Sequence, residues 1–130
     1  MDPLKPVDLA RFLAGFRYRF TSERELQEGI RAVLQPWDAT FASEYRLTAR
    51  DRPDFFVAVH RRQPGEDLAP GIAIEVKVKG TAAQLLTQVH RYLQHDDVVG
   101  VVVVTSIFRH QLPDEISGKP VAVLHVSQAL

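Results

Sequence analysis

The run Val98-Val99-Gly100-Val101-Val102-Val103-Val104 leaves a folding chain little choice. A strand with one wet face alternates apolar and polar residues. This stretch is apolar and β-branched without a break, the mark of a strand covered on both faces of a sheet. The neighbouring segments can supply the covering layers. Across residues 81–95, Ala82, Leu85, Leu86, Val89, Tyr92 and Leu93 recur at helical spacing and are expected to face inward. Across 22–35, Leu26, Ile30, Val33 and Leu34 form a second apolar stripe. Ser22 followed by Glu25 reads as a capping box that opens this helix, and Pro36 stops it. A further helix over 7–19 is indicated by Leu9, Phe12, Leu13 and Phe16, with Gly15 counting against it.

After Pro36 the period changes from 3.6 to about 2. Strands are expected at 39–48, 54–61 and 71–79, with Pro64-Gly65 in a polar turn between the last two and Gly80 ending the third. Residues 107–120 read as a connector with a helical turn, and 121–126 as a final strand. The order is αβββαβ with additions at both ends. We expect one α/β domain over 1–130, with its core at about 21–126, an N-terminal helical extension over 1–20, and a central mixed sheet flanked by helices. A chain of 130 residues, 45% hydrophobic, is long enough to bury such a core.

Composition narrows the function classes. Sixteen Lys and Arg balance sixteen Asp and Glu, which counts mildly against a dedicated nucleic-acid binder. Residues 1–65 nevertheless carry 11 of those 16 basic side chains, so a local basic face is compatible with zero net charge. The absence of cysteine excludes disulfides, thiolate zinc sites and iron–sulfur clusters. No apolar stretch is long enough to span a membrane, and Met1-Asp2-Pro3-Leu4-Lys5 lacks a signal-peptide pattern, so a cytoplasmic protein is expected. The five histidines show no metal-ligand spacing.

Charged residues then appear where strands should be apolar. Glu75 and Lys77 are two apart and share a face of the third strand, opposite Ile72, Ile74, Val76 and Val78. Alone they describe an amphipathic edge strand, and Pro53-Asp54 alone describes a turn. A buried lone carboxylate costs several kcal/mol, so such groups usually have a cation or a second role. On the helix of 22–35, Glu23 falls within the apolar arc, whereas Glu25 is explained by the cap and Glu28 by solvent. An exposed first-turn carboxylate favoured by the helix dipole is the competing account of Glu23. Gln88 and Tyr92 are four apart and meet on one surface of the later helix, where Tyr92 serves equally well as a core aromatic.

Taken together, Glu23, Pro53-Asp54, Glu75-Val76-Lys77 and Gln88-Val89-His90-Arg91-Tyr92 resemble the PD-(D/E)xK nuclease superfamily, whose restriction-endonuclease-like core has the same αβββαβ order. The stretches Ser22-Glu23-Arg24-Glu25-Leu26 and Ile74-Glu75-Val76-Lys77-Val78 look like those of archaeal-type Holliday-junction resolvases. The Gln-x-x-x-Tyr helix is more like RecB-type and phage exonucleases.

The resemblance implies a Mg²⁺-dependent (or Mn²⁺-dependent) DNA nuclease, directed by structure or by single strands rather than by sequence. It implies inner metal ligands at Asp54, Glu75 and the Val76 carbonyl, with Glu23 on a second metal or a metal-bound water. Lys77 would act on the attacking water or the phosphorus, and Gln88 and Tyr92 would position the scissile phosphate or the strand beside it. Arg17, Arg19, Arg50, Arg52, Arg61, Arg62, Lys79 and Arg91 are candidates for phosphate contacts. The alternatives are a homodimeric junction resolvase and a nuclease-like DNA-binding or assembly module without chemistry.

Overall fold

A computed structural model describes residues 2–37 and 39–127; Met1, Asp38 and 128–130, the outermost parts of the expected domain included, lie outside them. The elements run α1 (Pro6–Ala14), α2 (Glu23–Leu34), β1 (Phe41–Ser43), β2 (Phe55–Ala58), β3 (Gly71–Lys77), α3 (Ala82–Leu93), β4 (Val98–Thr105), β5 (Glu115–Ile116) and β6 (Lys119–His125). The strands form one mixed sheet in the order β1-β2-β3-β4-β6-β5. The β1–β2 and β2–β3 pairs are antiparallel, β3–β4 and β4–β6 are parallel, and β5 returns antiparallel on β6.

Strand parity sorts the core into two layers. Phe55, Val57, Ile72, Ile74, Val76, Val102 and Val104 pack against Leu9 and Leu13 of α1 and Leu26, Ile30 and Leu34 of α2. Phe56, Ala73, Val101 and Val103 point the other way, against Leu85, Val89, Tyr92 and Leu93 of α3. The valine run is therefore β4, covered on both faces. Gly100 is required there, because a Cβ would lie 2.5 Å from Pro6 Cγ and 3.0 Å from the Pro120 carbonyl.

Several expected boundaries shift. α1 stops at Ala14 instead of 19, with Gly15 at its C-cap and Phe16 exposed. The first strand shrinks from 39–48 to three residues, because Glu44 enters the left-handed region at φ 48° and turns the chain away. The second strand ends at Ala58 rather than 61. Leu86 is 41% exposed instead of facing inward. The connector at 107–120 holds an unexpected short strand, β5. It joins β6 through Ser117 and Gly118, both at positive φ (55° and 77°), as a type I′ hairpin turn requires. The α2 cap also differs from the expected box. Ser22 Oγ accepts from the Glu25 N–H at 3.2 Å, but the Glu25 carboxylate accepts from the Thr21 N–H and hydroxyl instead of from Ser22. The reciprocal box forms on α3, between Thr81 and Gln84. Among the described residues no helix is long and apolar enough to cross a membrane.

Candidate active site at the open end of the β2–β3 pair

The site begins where a ladder runs out. The last antiparallel pair of β2 and β3 is Phe55↔Ile74, which leaves Asp54 across from Glu75. β2 begins only at Phe55, yet β3 runs on to Lys77. The Val76 and Val78 N–H groups must find other acceptors. Val76 N–H donates to Asp54 Oδ2 at 2.7 Å, and Val78 N–H donates to Glu23 Oε1 at 3.3 Å. Two carboxylates from separate elements thus stand where a longer β2 would have offered backbone carbonyls. Gln27, one turn after Glu23 on α2, donates to Asp54 Oδ1 at 2.9 Å.

On the α3 side of the sheet, Glu75 is only 4% exposed. Tyr92 Oη donates to its Oε1 at 2.9 Å, Gln88 Nε2 donates to Tyr92 Oη at 3.0 Å, and Lys77 Nζ lies 3.3 Å from its Oε2. Tyr92, 1% exposed, is both a core aromatic and a partner of the acidic centre. Glu23, Asp54, Glu75, Lys77, Gln88 and Tyr92 are thus joined, by direct bonds or through the Val76–Val78 backbone, into one connected group.

The electrostatics follow from three carboxylates around one ammonium. Burial and the neighbouring Glu75 charge push the Asp54 carboxyl up to about 7, with the Val76 N–H and Lys77 acting in the opposite sense. Glu75 is also raised, mainly by burial, despite Lys77 and Tyr92. Tyr92 is held well above the ordinary phenol range by burial and by the Glu75 charge. Burial first, and the neighbouring carboxylates second, disfavour the charged form of Asp54, and a bound cation would favour it. The donor types are the hard oxygens that Mg²⁺ prefers. Among the described residues, however, no three His, Cys, Asp or Glu side chains stand ready as a metal-binding group. The Asp54 and Glu75 oxygens are engaged by Val76, Gln27, Tyr92 and Lys77, and these bonds would have to be exchanged for metal ligation. The chemistry of the donor set fits Mg²⁺; the hydrogen bonding is that of a metal-free network.

The basic residues singled out in the sequence do not gather here. Arg17 and Arg19 are exposed beyond α1, Arg50 and Arg52 are exposed on the connection before Asp54, and Arg61 is exposed after β2. Arg62 bonds the Ala69 carbonyl and pairs with Glu66. Arg91 is held by buried Asp51 at 2.9 Å, and His95 Nε2 lies 2.9 Å from the other Asp51 oxygen. Lys79 is exposed at the end of β3, beside a small pocket that it shares with Lys77, Gln88 and His110.

Four residues of this neighbourhood escaped the sequence reading. Gln27 was findable, being one turn from Glu23 on the same helix face. Asp51 had no local signal, because its side-chain ion partners lie forty or more residues along the chain, and neither did the bond from His110 to Gly80, thirty residues earlier. His110, 1% exposed, bonds Thr105 Oγ1 through Nδ1 and donates from Nε2 to the Gly80 carbonyl, fastening the turn between β3 and α3. Ser43 and its unpaired hydroxyl also went unnoticed. No protein-family model, curated protein or solved structure matches this chain.

Proposed function

We propose that this chain is a divalent-metal-dependent nuclease that hydrolyses phosphodiester bonds of DNA, with a restriction-endonuclease-like core. The observation that carries the reading is the gathering of Glu23, Asp54, Glu75 and Lys77 at the open end of the β2–β3 pair, from α2, the start of β2, and β3. The αβββαβ order of the elements from α2 to β4 supports it.

The roles divide by chemistry. A bound Mg²⁺ or Mn²⁺ would supply charge neutralisation at the phosphoryl oxygens and an acidified water. Asp54, Glu75 and the Val76 carbonyl are its proposed ligands, with Glu23 on a second ion or a metal-bound water. Lys77 carries the positive charge that can orient the nucleophile and stabilise negative charge building on phosphorus. Tyr92, backed by Gln88, holds Glu75 in orientation through its hydroxyl.

One observation favours a second reading. The same bonds that join the carboxylates also satisfy the free N–H groups of β3, so they could serve a non-catalytic module that merely closes its sheet edge. A substrate panel separates the two. Single-stranded, duplex, flap and four-way-junction DNA are incubated with Mg²⁺, Mn²⁺ or EDTA. Metal-dependent cleavage that Asp54→Asn, Glu75→Gln and Lys77→Ala each reduce by about a hundredfold or more is expected. Cleavage that survives all three substitutions, or none on any substrate, sinks the nuclease reading. Preference for the junction, with paired incisions by a dimer, would assign the homodimeric resolvase.

A further inference from the structure

We propose that the cleft between α2 and the strands β1 and β2 is the channel through which a single DNA strand reaches Asp54, with Arg24 and Arg31 as its phosphate contacts. This rests on the nuclease reading above. The cleft has a volume of about 720 Å³ and is walled on one side by Arg24, Gln27, Glu28 and Arg31 of α2 and on the other by Ser43, Glu44 and Asp54.

Three features point to a polynucleotide backbone as the occupant. First, the cleft opens onto Asp54 and Gln27, so anything lying in it continues into the acidic centre. Second, Arg24 and Arg31 are seven residues apart on α2, which places them on one face about 10 Å apart, able to hold different phosphates of one strand. Third, the opposite lip has a fixed shape. Glu44 sits at φ 48° and its N–H donates to the Asp54 carbonyl at 2.8 Å, so the lip and the acidic residue move together.

The size selects the strand. Pockets that enclose one drug-sized molecule measure about 300–1,000 Å³, and this cleft falls in that range. It has room for a nucleotide or two of one strand with the bases turned outward. A length of double helix is bulkier than this volume holds. The cleft also carries an opposing charge. Arg24 is 3.6 Å from Glu28, but with those side chains 87% and 68% exposed the pair is weak and exchangeable for phosphate. Glu28 and Glu44 should therefore oppose binding, much as an acidic lining limits how tightly a product is held.

The test measures binding by fluorescence anisotropy, using the full chain carrying Asp54→Asn to prevent cleavage, with labelled oligothymidine and a blunt duplex. Thermal melts confirm that each variant folds. The combined Arg24→Ala/Arg31→Ala change should weaken oligothymidine binding about tenfold or more and lower its salt dependence by one to two phosphate contacts, roughly a slope change of 0.7–1.4 for a single strand. The duplex should be little affected, Glu28→Gln/Glu44→Gln should tighten the oligothymidine complex, and Arg11→Ala on the exposed face of α1 should leave it unchanged. If oligothymidine binds but the Arg24/Arg31 variant binds it equally well, or loses duplex in parallel, the channel is wrong and the nuclease reading stands. If the protein binds neither nucleic acid, both fall.

Discussion

Asp54 is the residue on which the chemistry and the stability of this protein pull in opposite directions. Its carboxyl titrates near 7 in the fold against an ordinary value of 3.8, so the folded state holds a proton that the unfolded chain releases. The sign is fixed by linkage: the folded state is favoured below the unfolded value, and that advantage is lost as pH rises from about 4 to about 7. Denaturant midpoints of the metal-free protein should fall over this interval. Asp54→Asn should flatten the fall and raise the midpoint at neutral pH. An unchanged fall in the variant would show that Asp54 is ionised throughout and that the acidic centre is balanced by its own lysine. Asp51 has the opposite sign. His95 first and Arg91 second hold its carboxyl below the usual range, so it stabilises the fold at neutral pH and that contribution fades as acid protonates it. Tyr92→Phe removes the hydroxyl that donates to buried Glu75. A lost hydrogen bond to a charged group should cost about 1.5–3 kcal/mol, read as a shifted urea midpoint at constant slope. A loss within error would make Tyr92 an ordinary core ring.

The same logic works between elements. Helix α1 lies across β4 and β6 at a distance that only a glycine allows, since Pro6 Cγ would be 2.5 Å from a Cβ on residue 100. Gly100→Ala should therefore cost about 1–3 kcal/mol through overpacking while leaving the acidic centre intact, because the clash falls on α1 and β6, away from α2 and β2. Equilibrium unfolding gives the first part and the substrate panel the second. A variant that lost cleavage while keeping stability would show that α1 reaches the site by a route the packing does not reveal. Helix α2 has the more exacting placement. Leu26, Ile30 and Leu34 seat it on the sheet, and that seating aims Glu23 and Gln27 at the end of β3. A stripe of three aliphatic residues thus sets the position of two polar ones, and a change of helix phase would remove both from the site together.

For the molecule as a whole, the surplus of negative charge at one end of the sheet predicts coupling between cation binding and stability. Millimolar Mg²⁺ or Mn²⁺ should raise the melting temperature at pH 7.5 and much less at pH 5, where Asp54 holds a proton that competes with the ion. A cation at a hundred times its Kd adds about 2.7 kcal/mol. The same salts should do little to Asp54→Asn. An equal response from the variant would place the ion elsewhere on the surface and remove the metal from the proposed mechanism. Zero net charge would be no obstacle to the proposed polyanionic substrate, because Arg24 and Arg31 line one wall of the α2 cleft together.

How much of this was legible in the chain depends on the range of the interaction that decides each feature. Local periodicity determined the valine strand, the faces of α2 and α3, and the order of elements, because helical and strand spacing are properties of neighbouring residues. It also put Glu75 and Lys77 on one face and Gln88 beside Tyr92, both short-range consequences of the same geometry. The tertiary structure decided the rest. The first strand is cut short by a left-handed Glu44 bonded to Asp54 from across the sheet, and residues 44 and 54 meet only after the sheet forms. Arg91 is claimed by Asp51, forty residues earlier, and Arg62 by the carbonyl of Ala69, so the local sequence of neither shows where its charge is spent. Asp54 and Glu23 become neighbours because β3 outruns β2 and its unpaired N–H groups must be satisfied. That demand exists only when two strands of unequal length lie side by side, and no stretch of the sequence contains it.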